Sequence, residues 1–264
     1  MRVLALDTTT RAGSAALVDE NVIVEERAGD PSRTHAQRLP AETLAVLDAH
    51  GVTLSDIDLF AVAAGPGSFT GLRIGLATIQ GLAFVTGRPI VGISALEALA
   101  QVASRDAAAH ELVAAWMDAQ RREVFSALYQ VTSAGLFDPG RLIELEAAAV
   151  GGPERTLERW RDRLDPGQPV VFVGDGAVLY EDLVCRSLQL PPSANARSGA
   201  VKKVARRVMP PPMLAGAVGR MAVARARLGG AIGPGEVHPL YVRRPDAEID
   251  RDRRSLDRNG PERQ

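Results

Sequence analysis

The sequence predicts an α/β fold built around a mixed β-sheet, and three features of its first third support this prediction. Apolar runs of strand length alternate with segments of helical periodicity in the order β-β-β-α-β-α-β-α. A polar tripeptide at residues 19–21 separates two of the strands, as a hairpin turn would. A glycine-rich turn at residues 65–75 then follows an apolar run and precedes a helical pattern.

The first elements are indicated by apolar runs and by residues that favour helix ends. The predicted strands cover residues 3–7, 13–18 and 22–26. Thr34 and Gln37 have the spacing of a capping box that opens a helix, and Gly51 closes that helix. Pro40 lies inside the helical pattern, so the helix either begins there or is kinked.

The glycine-rich turn is the most informative segment of the chain. Gly65, Gly67 and Gly71 can adopt backbone angles closed to other residues, and Ser68 or Thr70 can cap the following helix. Such a turn can direct backbone N–H groups at a phosphate or a carboxylate. Its spacing matches neither Gly-x-x-x-x-Gly-Lys-Ser/Thr nor Gly-x-Gly-x-x-Gly. On the residues alone, a plain connection is the more frequent explanation and an anion site is the alternative.

Later residues predict a second set of elements. Strands are expected at residues 90–93, 112–118, 124–131 and 170–173, helices at 94–104, 154–164 and 213–228, and an extended piece at 238–243. A second glycine turn, which begins at Gly174, ends the last of these strands. Residues 191–212 interrupt the pattern with prolines and basic side chains, and the charged residues from 245 onward predict a disordered tail.

The composition describes an ordinary globular protein. The chain has 264 residues, 46% of them apolar, and a formal charge of −1, which argues against a dedicated nucleic-acid binder. No long uninterrupted apolar stretch predicts a membrane span, and Asp7 comes too early for a signal peptide. The single cysteine, Cys185, excludes an internal disulfide and fits a reducing cytosol.

Few residues form a pattern that points to chemistry. Asp7 ends the first strand beside a run of three threonines, where a carboxylate either holds a metal–nucleotide or caps the turn. None of the four histidines has a partner at the spacing of a helical metal pair. Asp118 precedes Arg121 and Arg122, which indicates an ionic site or, more commonly, a charged hairpin turn. No catalytic constellation can be assembled from these residues.

A basic cluster lies in the proline-flanked stretch. Its members Lys202, Lys203, Arg206 and Arg207 have the spacing of one helical face. A solvated face is the usual explanation, and contact with RNA phosphates is the alternative.

Several segments together resemble the bacterial TsaB (YeaZ) family. The matching segments lie at residues 4–8, 35–40, 65–75, 81–83, 89–94, 96–100, 118–124 and 239–243. The similarity is dense up to about residue 130 and sparse afterwards. The Asp-Thr start, the long glycine turn and the Arg-Glu-Val segment make it specific in combination.

The resemblance implies an actin-like ATPase fold (ASKHA, ribonuclease-H-like) with two lobes, in which mixed sheets are flanked by helices. It implies a first lobe at residues 1–105 and about 212–244, and a smaller second lobe at 106–211. It also implies a non-catalytic subunit of the cytoplasmic machinery that makes N6-threonylcarbamoyladenosine at position 37 of tRNAs reading codons that begin with A. If the resemblance holds, the residues of this chain form no catalytic or metal site, and nucleotide and metal are bound by the partner subunits.

The implied partners are a TsaD-like transferase, a TsaE-like ATPase and, when the chain is alone, a second copy of itself. Contact with tRNA is expected to be at most indirect or weak, and no membrane is expected. The implied partner interface uses two helices of the first lobe, through His35, Leu39, Leu44, Leu47, Leu72, Gly75, Leu76 and Ile79. A vestigial nucleotide site is implied at Asp7, Gly65, Gly67, Ser68, Thr70 and Gly174.

Two other functions stay open on the sequence. The first is an ATP-dependent small-molecule kinase or ATPase that uses Asp7 and the turns at Gly65 and Gly174. The second is a glycoprotease, which the missing metal ligands and nucleophile disfavour.

Overall fold

A computed structural model of the chain describes residues 1–165, 167–188 and 207–243. The first half of the described chain contains five strands and three helices. They are β1 (Arg2–Asp7), β2 (Ser14–Asp19), β3 (Val22–Ala28), α1 (His35–Asp48), β4 (Leu59–Gly65), α2 (Phe69–Thr86), β5 (Ile90–Ser94) and α3 (Ala95–Ala103). This order agrees with the alternation predicted from the sequence.

The second half of the described chain repeats the pattern with shorter helices. Its elements are β6 (Leu112–Asp118), β7 (Val124–Val131), β8 (Leu142–Gly151), α4 (Pro153–Arg159), β9 (Val170–Val173), α5 (Asp175–Leu179), α6 (Glu181–Leu188), β10 (Arg207–Met209) and α7 (Ala215–Arg227).

The ten strands form two five-stranded sheets of the same design. The order is β3-β2-β1-β4-β5 in the first sheet and β10-β9-β6-β7-β8 in the second. In each sheet an antiparallel meander is extended by two parallel strands. We call each sheet with its helices a lobe. This duplicated, ribonuclease-H-like topology confirms the predicted actin-like fold class.

Helices α3 and α7 lie between the two sheets and join the lobes. Alternate residues of the strands point to opposite faces, so that Val3 and Ala5 face these helices while Leu4 and Leu6 face outward. Helix α7 packs on β1, β2 and β4, and α3 packs on β6 and β7. The shared apolar cluster between the sheets therefore holds the first lobe against the second.

Each outer sheet face is covered by its own helices. Helix α1 and helix α2 each bury one side against Leu4, Phe60 and Val62 of the first sheet. Trp116, Trp160 and Phe172 fill the corresponding layer of the second lobe. Burying a large apolar side chain contributes about 1.5–3 kcal/mol, so these layers stabilise the arrangement of helices on each sheet.

The sequence interpretation missed four elements of the described chain. Strand β8, the two short helices α5 and α6, and strand β10 were not predicted. Residues 238–243, for which the sequence predicted an extended piece, form no strand and belong to neither sheet. Helix α1 begins at His35, so Pro40 lies within the helix rather than at its start. Lys202, Lys203 and Arg206 of the predicted basic face, and the tail from residue 245, lie outside the described residues.

One described helix, α2, is long and apolar enough to cross a membrane by length and composition alone. A third of it is buried inside the fold. This is weak evidence for a membrane span, because the core helix of an ordinary globular protein passes the same test.

Candidate functional site

The carboxyl ends of four strands meet at a cleft between the lobes. The cleft has a volume of about 1250 Å³ and is lined by the turns that follow β1, β4, β6 and β9. In open α/β sheets, ligands bind outside the carboxyl ends of the strands. The cleft is therefore the candidate site of this fold, and the glycine-rich turn forms part of its wall.

Asp7 lies at the end of β1, is buried and does not line the cleft. Its Oδ1 accepts hydrogen bonds from the backbone N–H of Thr9 at 2.9 Å and from the Thr9 hydroxyl at 2.6 Å. Burial raises the pKa of the Asp7 carboxyl, these hydrogen bonds from Thr9 oppose the rise, and the charge of Asp175 adds to it. This geometry corresponds to the turn-capping alternative for Asp7.

The raised pKa of Asp7 makes a testable prediction about stability. A carboxyl whose pKa is higher in the folded protein stabilises that state while protonated, and the stabilisation is lost as pH rises through the folded pKa. Asp7→Asn keeps an acceptor for Thr9 and carries no charge. We expect the variant to melt above the parent near pH 7 and to lose this advantage below the unfolded pKa, near pH 4. Thermal melts at both pH values, with the exposed Asp48→Asn as control, test this; a lower melting temperature for Asp7→Asn near pH 7 contradicts it.

The glycines of the first turn allow close packing inside the chain. A Cβ on Gly67 would lie 2.5 Å from Thr9 Cβ, and one on Gly71 would overlap the carbonyl oxygen of Thr8. Ser68 caps α2, since its hydroxyl accepts from the N–H of Gly71 at 3.2 Å, and its own N–H donates to Thr9 O at 2.8 Å. The turn is thus fastened to the end of β1. Thr70 lies exposed on the cleft wall.

The second glycine turn repeats this arrangement in the other lobe. Gly174 has a φ of 120°, and a Cβ there would overlap the carbonyl oxygen of Trp116. Asp175 Oδ1 accepts from the N–H of Asp118 at 3.0 Å and from that of Gly176 at 2.9 Å. Burial raises the pKa of Asp175, and the charge of Asp118 contributes. Asp118 and Asp175 both line the cleft, although the sequence favoured only a hairpin turn at Asp118.

That hairpin turn has unusual backbone angles. Gln120, Arg121 and Arg122 have φ values of 59°, 55° and 61°, a region that L-residues rarely adopt. The turn is held by the N–H of Glu123, which donates to Gln120 O at 3.0 Å, and by Gln120 N–H, which donates to Asp118 Oδ1 at 2.8 Å. The rim of the second lobe is therefore a tightly bonded hairpin.

The C-terminal segment, residues 239–243, crosses from one wall of the cleft to the other. Leu240 N–H donates to Ala64 O at 2.7 Å, beside the first glycine turn. At the far end, Arg243 donates to Ala119 O at 2.7 Å and pairs with Glu123. The sequence indicated an extended piece here, but not that it bridges the lobes.

His35, which lines the cleft, and the buried Arg38 form a partly buried polar network at its edge. Arg38 can only donate, so His35 Nδ1 accepts from its guanidinium at 2.8 Å and the imidazole proton lies on Nε2, 3.0 Å from Thr10 O. Burial and the charge of Arg38 lower the pKa of His35, which keeps the ring neutral. Arg38 is 2% exposed, and it also pairs with Glu42 and donates to the carbonyl oxygens of Arg11 and Ala12.

Most residues expected at the partner interface lie in the core instead. Five leucine and isoleucine side chains are at most 4% exposed and pack within the chain: Leu39, Leu47, Leu72, Leu76 and Ile79. Gly75 is also buried, because α2 approaches Thr8 there. Their expected role in partner contact stays a prediction, and in this conformation the apolar stripe of each helix covers the chain's own sheet. Leu44 is 49% exposed, and His35 is half-buried.

Helices α1 and α2 nevertheless present a second, outward apolar face. Leu44 on α1 is exposed, and Phe84 and Val85 on α2 are 80% and 85% exposed. Ala77 is also exposed, and a Cβ added to Gly81 would meet no atom within 4 Å. We call Leu44, Ala77, Gly81, Phe84 and Val85 the outer helical face. Large exposed apolar side chains around small ones are typical of a protein-binding surface.

The described residues contain no group of three or more His, Cys, Asp or Glu side chains that could hold a metal ion. His50 contacts Glu25 at 2.8 Å, and Cys185 is buried in α6, where burial raises the pKa of its thiol. The residues that sequence reasoning missed are Arg38, Phe69, Arg73 and Asp175. Only their proximity to the recognised turns could have indicated them.

Comparison with known proteins identifies relatives of the whole fold. A family model described as "TsaD: tRNA N6-adenosine threonylcarbamoyltransferase" matches residues 28–251. The chain is 39% identical over 183 residues to "tRNA threonylcarbamoyladenosine biosynthesis protein TsaB" of Escherichia coli, which covers 69% of this chain and 75% of the relative.

Two solved structures from Pseudomonas aeruginosa are similar over nearly the whole chain. One, described as an uncharacterized protein with similarity to peptidase YEAZ, has a TM-score of 0.70 at 30% identity and covers 92% of this chain and 99% of its own. The other, "YeaZ from Pseudomonas aeruginosa", has a TM-score of 0.66 at 31% identity, with coverage of 91% and 99%.

Proposed function

We propose that this chain, which belongs to the TsaB (YeaZ) family, acts in forming N6-threonylcarbamoyladenosine at position 37 of tRNAs that read A-starting codons. In this proposal it is a non-catalytic subunit that binds and supports a TsaD-like transferase in the cytoplasm. The E. coli relative is named as a biosynthesis protein of this modification.

The chemistry of the cleft supports a non-catalytic role. The two hydrogen bonds from Thr9 occupy Oδ1 of Asp7, and Asp175 Oδ1 accepts from two backbone N–H groups. The glycine turns pack against the ends of β1 and β6. We therefore propose that Asp7, Gly65, Gly67, Ser68, Thr70 and Gly174 are a vestigial nucleotide site. No cofactor is assigned to this chain, and nucleotide and metal are assigned to the partner subunits.

The observation that carries the partner assignment is the outer helical face. It is apolar and exposed, and it has room for a neighbouring helix at Gly81. The family model that matches this chain is described as a TsaD transferase, so the two proteins share a fold. Two chains of one fold can pair through equivalent faces about a pseudo-two-fold axis, and two copies of this chain can do so when it is alone.

Gly81→Arg tests this assignment, because the new side chain would meet no atom of its own fold within 4 Å. We expect the variant to melt like the parent and to lose co-purification with the TsaD-like subunit, since a charge would be buried in an apolar contact. Gly140→Arg is the matched control, because Gly140 is also exposed, an added Cβ there would meet only the Ala134 side chain at 4.0 Å, and it lies in the second lobe between β7 and β8. Retained co-purification of Gly81→Arg would exclude the outer helical face.

A TsaE-like ATPase is assigned to the same complex as a further partner. Pull-down from the native cell extract with the chain as bait, followed by mass spectrometry, tests both partners together. Recovery of neither subunit would count against the proposed complex.

A second function has one observation in its favour. The cleft is large and holds carboxylates at the ends of β6 and β9, Asp118 and Asp175, as a kinase or ATPase of the actin-like superfamily would. Titration of the isolated chain with Mg-ATP tests it. Micromolar binding together with turnover would establish an enzyme.

A further inference from the structure

Three arginines of the first lobe line one wall of the cleft. Arg11 follows β1, Arg33 precedes α1, and Arg73 lies in the first turns of α2. All three are exposed. They come from separate loops and helices, so their shared position results from the tertiary fold and not from a local run of charge.

None of these arginines forms an ion pair with a carboxylate of the described residues. Arg11 donates through Nε to Pro31 O at 2.9 Å, Arg33 donates to Gln37 O at 3.3 Å, and Arg73 donates to the hydroxyl of Tyr241 at 3.1 Å. By contrast, Arg225 and Arg243 are paired with Glu97 and Glu123. The wall therefore carries positive charge that no carboxylate of the described residues pairs with directly, although Arg33 lies close enough to Asp30 to lower the pKa of that carboxyl.

Two exposed aromatic rings lie beside this charge. Phe69 and Tyr241 are 39% and 38% exposed, and their ring centroids are 5.2 Å apart with an interplanar angle of 31°. The Arg73 guanidinium lies 4.0 Å from the centroid of Phe69. A positive groove with exposed aromatic rings is the arrangement with which proteins bind single-stranded nucleic acids, because phosphates pair with the cations and bases stack on the rings.

The opposite wall sets the polarity of the cleft. Asp118 and Asp175 lie there together with Arg121 and Arg243, so this wall carries charges of both signs; each of these carboxylates accepts hydrogen bonds from its own lobe, and Arg243 is paired with Glu123. The first-lobe part of the lining contains arginines and no carboxylate, so an anionic strand would follow the first lobe. The cleft volume of about 1250 Å³ exceeds the 300–1000 Å³ typical of drug-sized ligands, and it suits a short stretch of chain.

We propose that this wall, formed by Arg11, Arg33, Arg73, Phe69 and Tyr241, binds single-stranded RNA. The choice of RNA over an acidic polypeptide rests on the proposed function in tRNA modification, and on the aromatic pair, which a merely acidic ligand would not need. This inference differs from the sequence expectation that tRNA contact is at most indirect or weak.

The salt dependence of RNA binding tests the charged part of the wall. The probe is a short unstructured single-stranded RNA, titrated against the purified chain and its complex between about 50 and 200 mM salt. Replacing the three arginines with Gln should weaken binding and reduce the slope of log affinity against log salt by about 2, since each single-strand phosphate contact contributes about 0.7. The control replaces Arg155, Arg161 and Arg186, which are exposed and do not line the cleft. A slope that changes equally in both triple variants would overturn the proposal.

The aromatic pair separates RNA from other anions. Phe69→Leu should weaken RNA binding roughly tenfold, because it removes a stacking surface, and should leave binding of poly-glutamate unchanged. Equal losses for both probes would show a site for acidic polypeptide and would overturn the assignment of RNA. Co-purification with the TsaD-like subunit is measured in parallel. It should persist in the wall variants, so that failure of the RNA site and failure of the partner assignment remain distinguishable.

Discussion

Leu39→Arg is expected to prevent this chain from folding. Leu39 is 2% exposed and belongs to the same apolar cluster as Leu47 and Leu76. Removing a buried leucine costs about 2–5 kcal/mol, and an unpaired buried cation adds to that cost. The total approaches the 5–15 kcal/mol that separates folded from unfolded states in ordinary domains. Circular dichroism during heating should show no cooperative transition for this variant.

Leu44→Arg is the matched control on the same helix. Leu44 is 49% exposed, so the arginine can reach solvent and the change in unfolding free energy should stay within about 0.5 kcal/mol. The variant should lose binding to the TsaD-like subunit while it melts like the parent. A Leu39→Arg protein that melts normally would show that α1 turns this stripe outward, as the sequence interpretation assumed.

The two leucines show where the sequence stops being informative. Amphipathic periodicity correctly predicts α1 and α2, because apolar residues recur on one side of each helix. Periodicity cannot say whether that side covers the chain's own sheet or a partner. In this fold the regular stripe packs inward. Leu44, Phe84 and Val85 are exposed and lie off the stripe. The sequence interpretation overlooked Phe84 and Val85 for that reason, although it named Leu44.

The first lobe was easier to predict than the second. Its strands β1 and β4 are continuous apolar runs because helices cover both of their faces. Strand β8 lies at a sheet edge, is mostly half-exposed and contains residues such as Glu144 and Ala147 that are depleted in strands. Helix α5 has five residues and β10 has three, too few for any period to emerge.

The cleft depends on contacts between residues far apart in sequence. Arg73 bonds Tyr241 across 168 positions, and Arg243 bonds Ala119 across 124. A local pattern could indicate the glycine turns and the extended C-terminal segment separately. Only the tertiary fold brings the two turns and this segment around one cleft. The hydrogen bonds from Thr9 to the buried Asp7 carboxylate likewise appear only in the folded chain.

Gly71→Ala is expected to destabilise the chain by about 3 kcal/mol, the upper end of what overpacking usually costs. An added Cβ would overlap the carbonyl oxygen of Thr8, which is backbone and cannot rotate away. Relief requires α2 to move from the end of β1, and this movement would disturb the bond from Ser68 N–H to Thr9 O. Chemical denaturation should show a lower midpoint with an unchanged slope, the sign of a loss of stability alone.

Gly81→Ala, in the same helix, isolates this cause. Its Cβ would meet nothing within 4 Å, and alanine is favoured over glycine in a helix by roughly 0.5–1 kcal/mol, so this variant should be stabilised. If Gly71→Ala destabilises the chain while Gly81→Ala stabilises it, packing against Thr8 explains why residue 71 must be glycine. If both variants were stabilised, the turn would tolerate a side chain there, and its glycines would have to be explained by a ligand in the cleft instead.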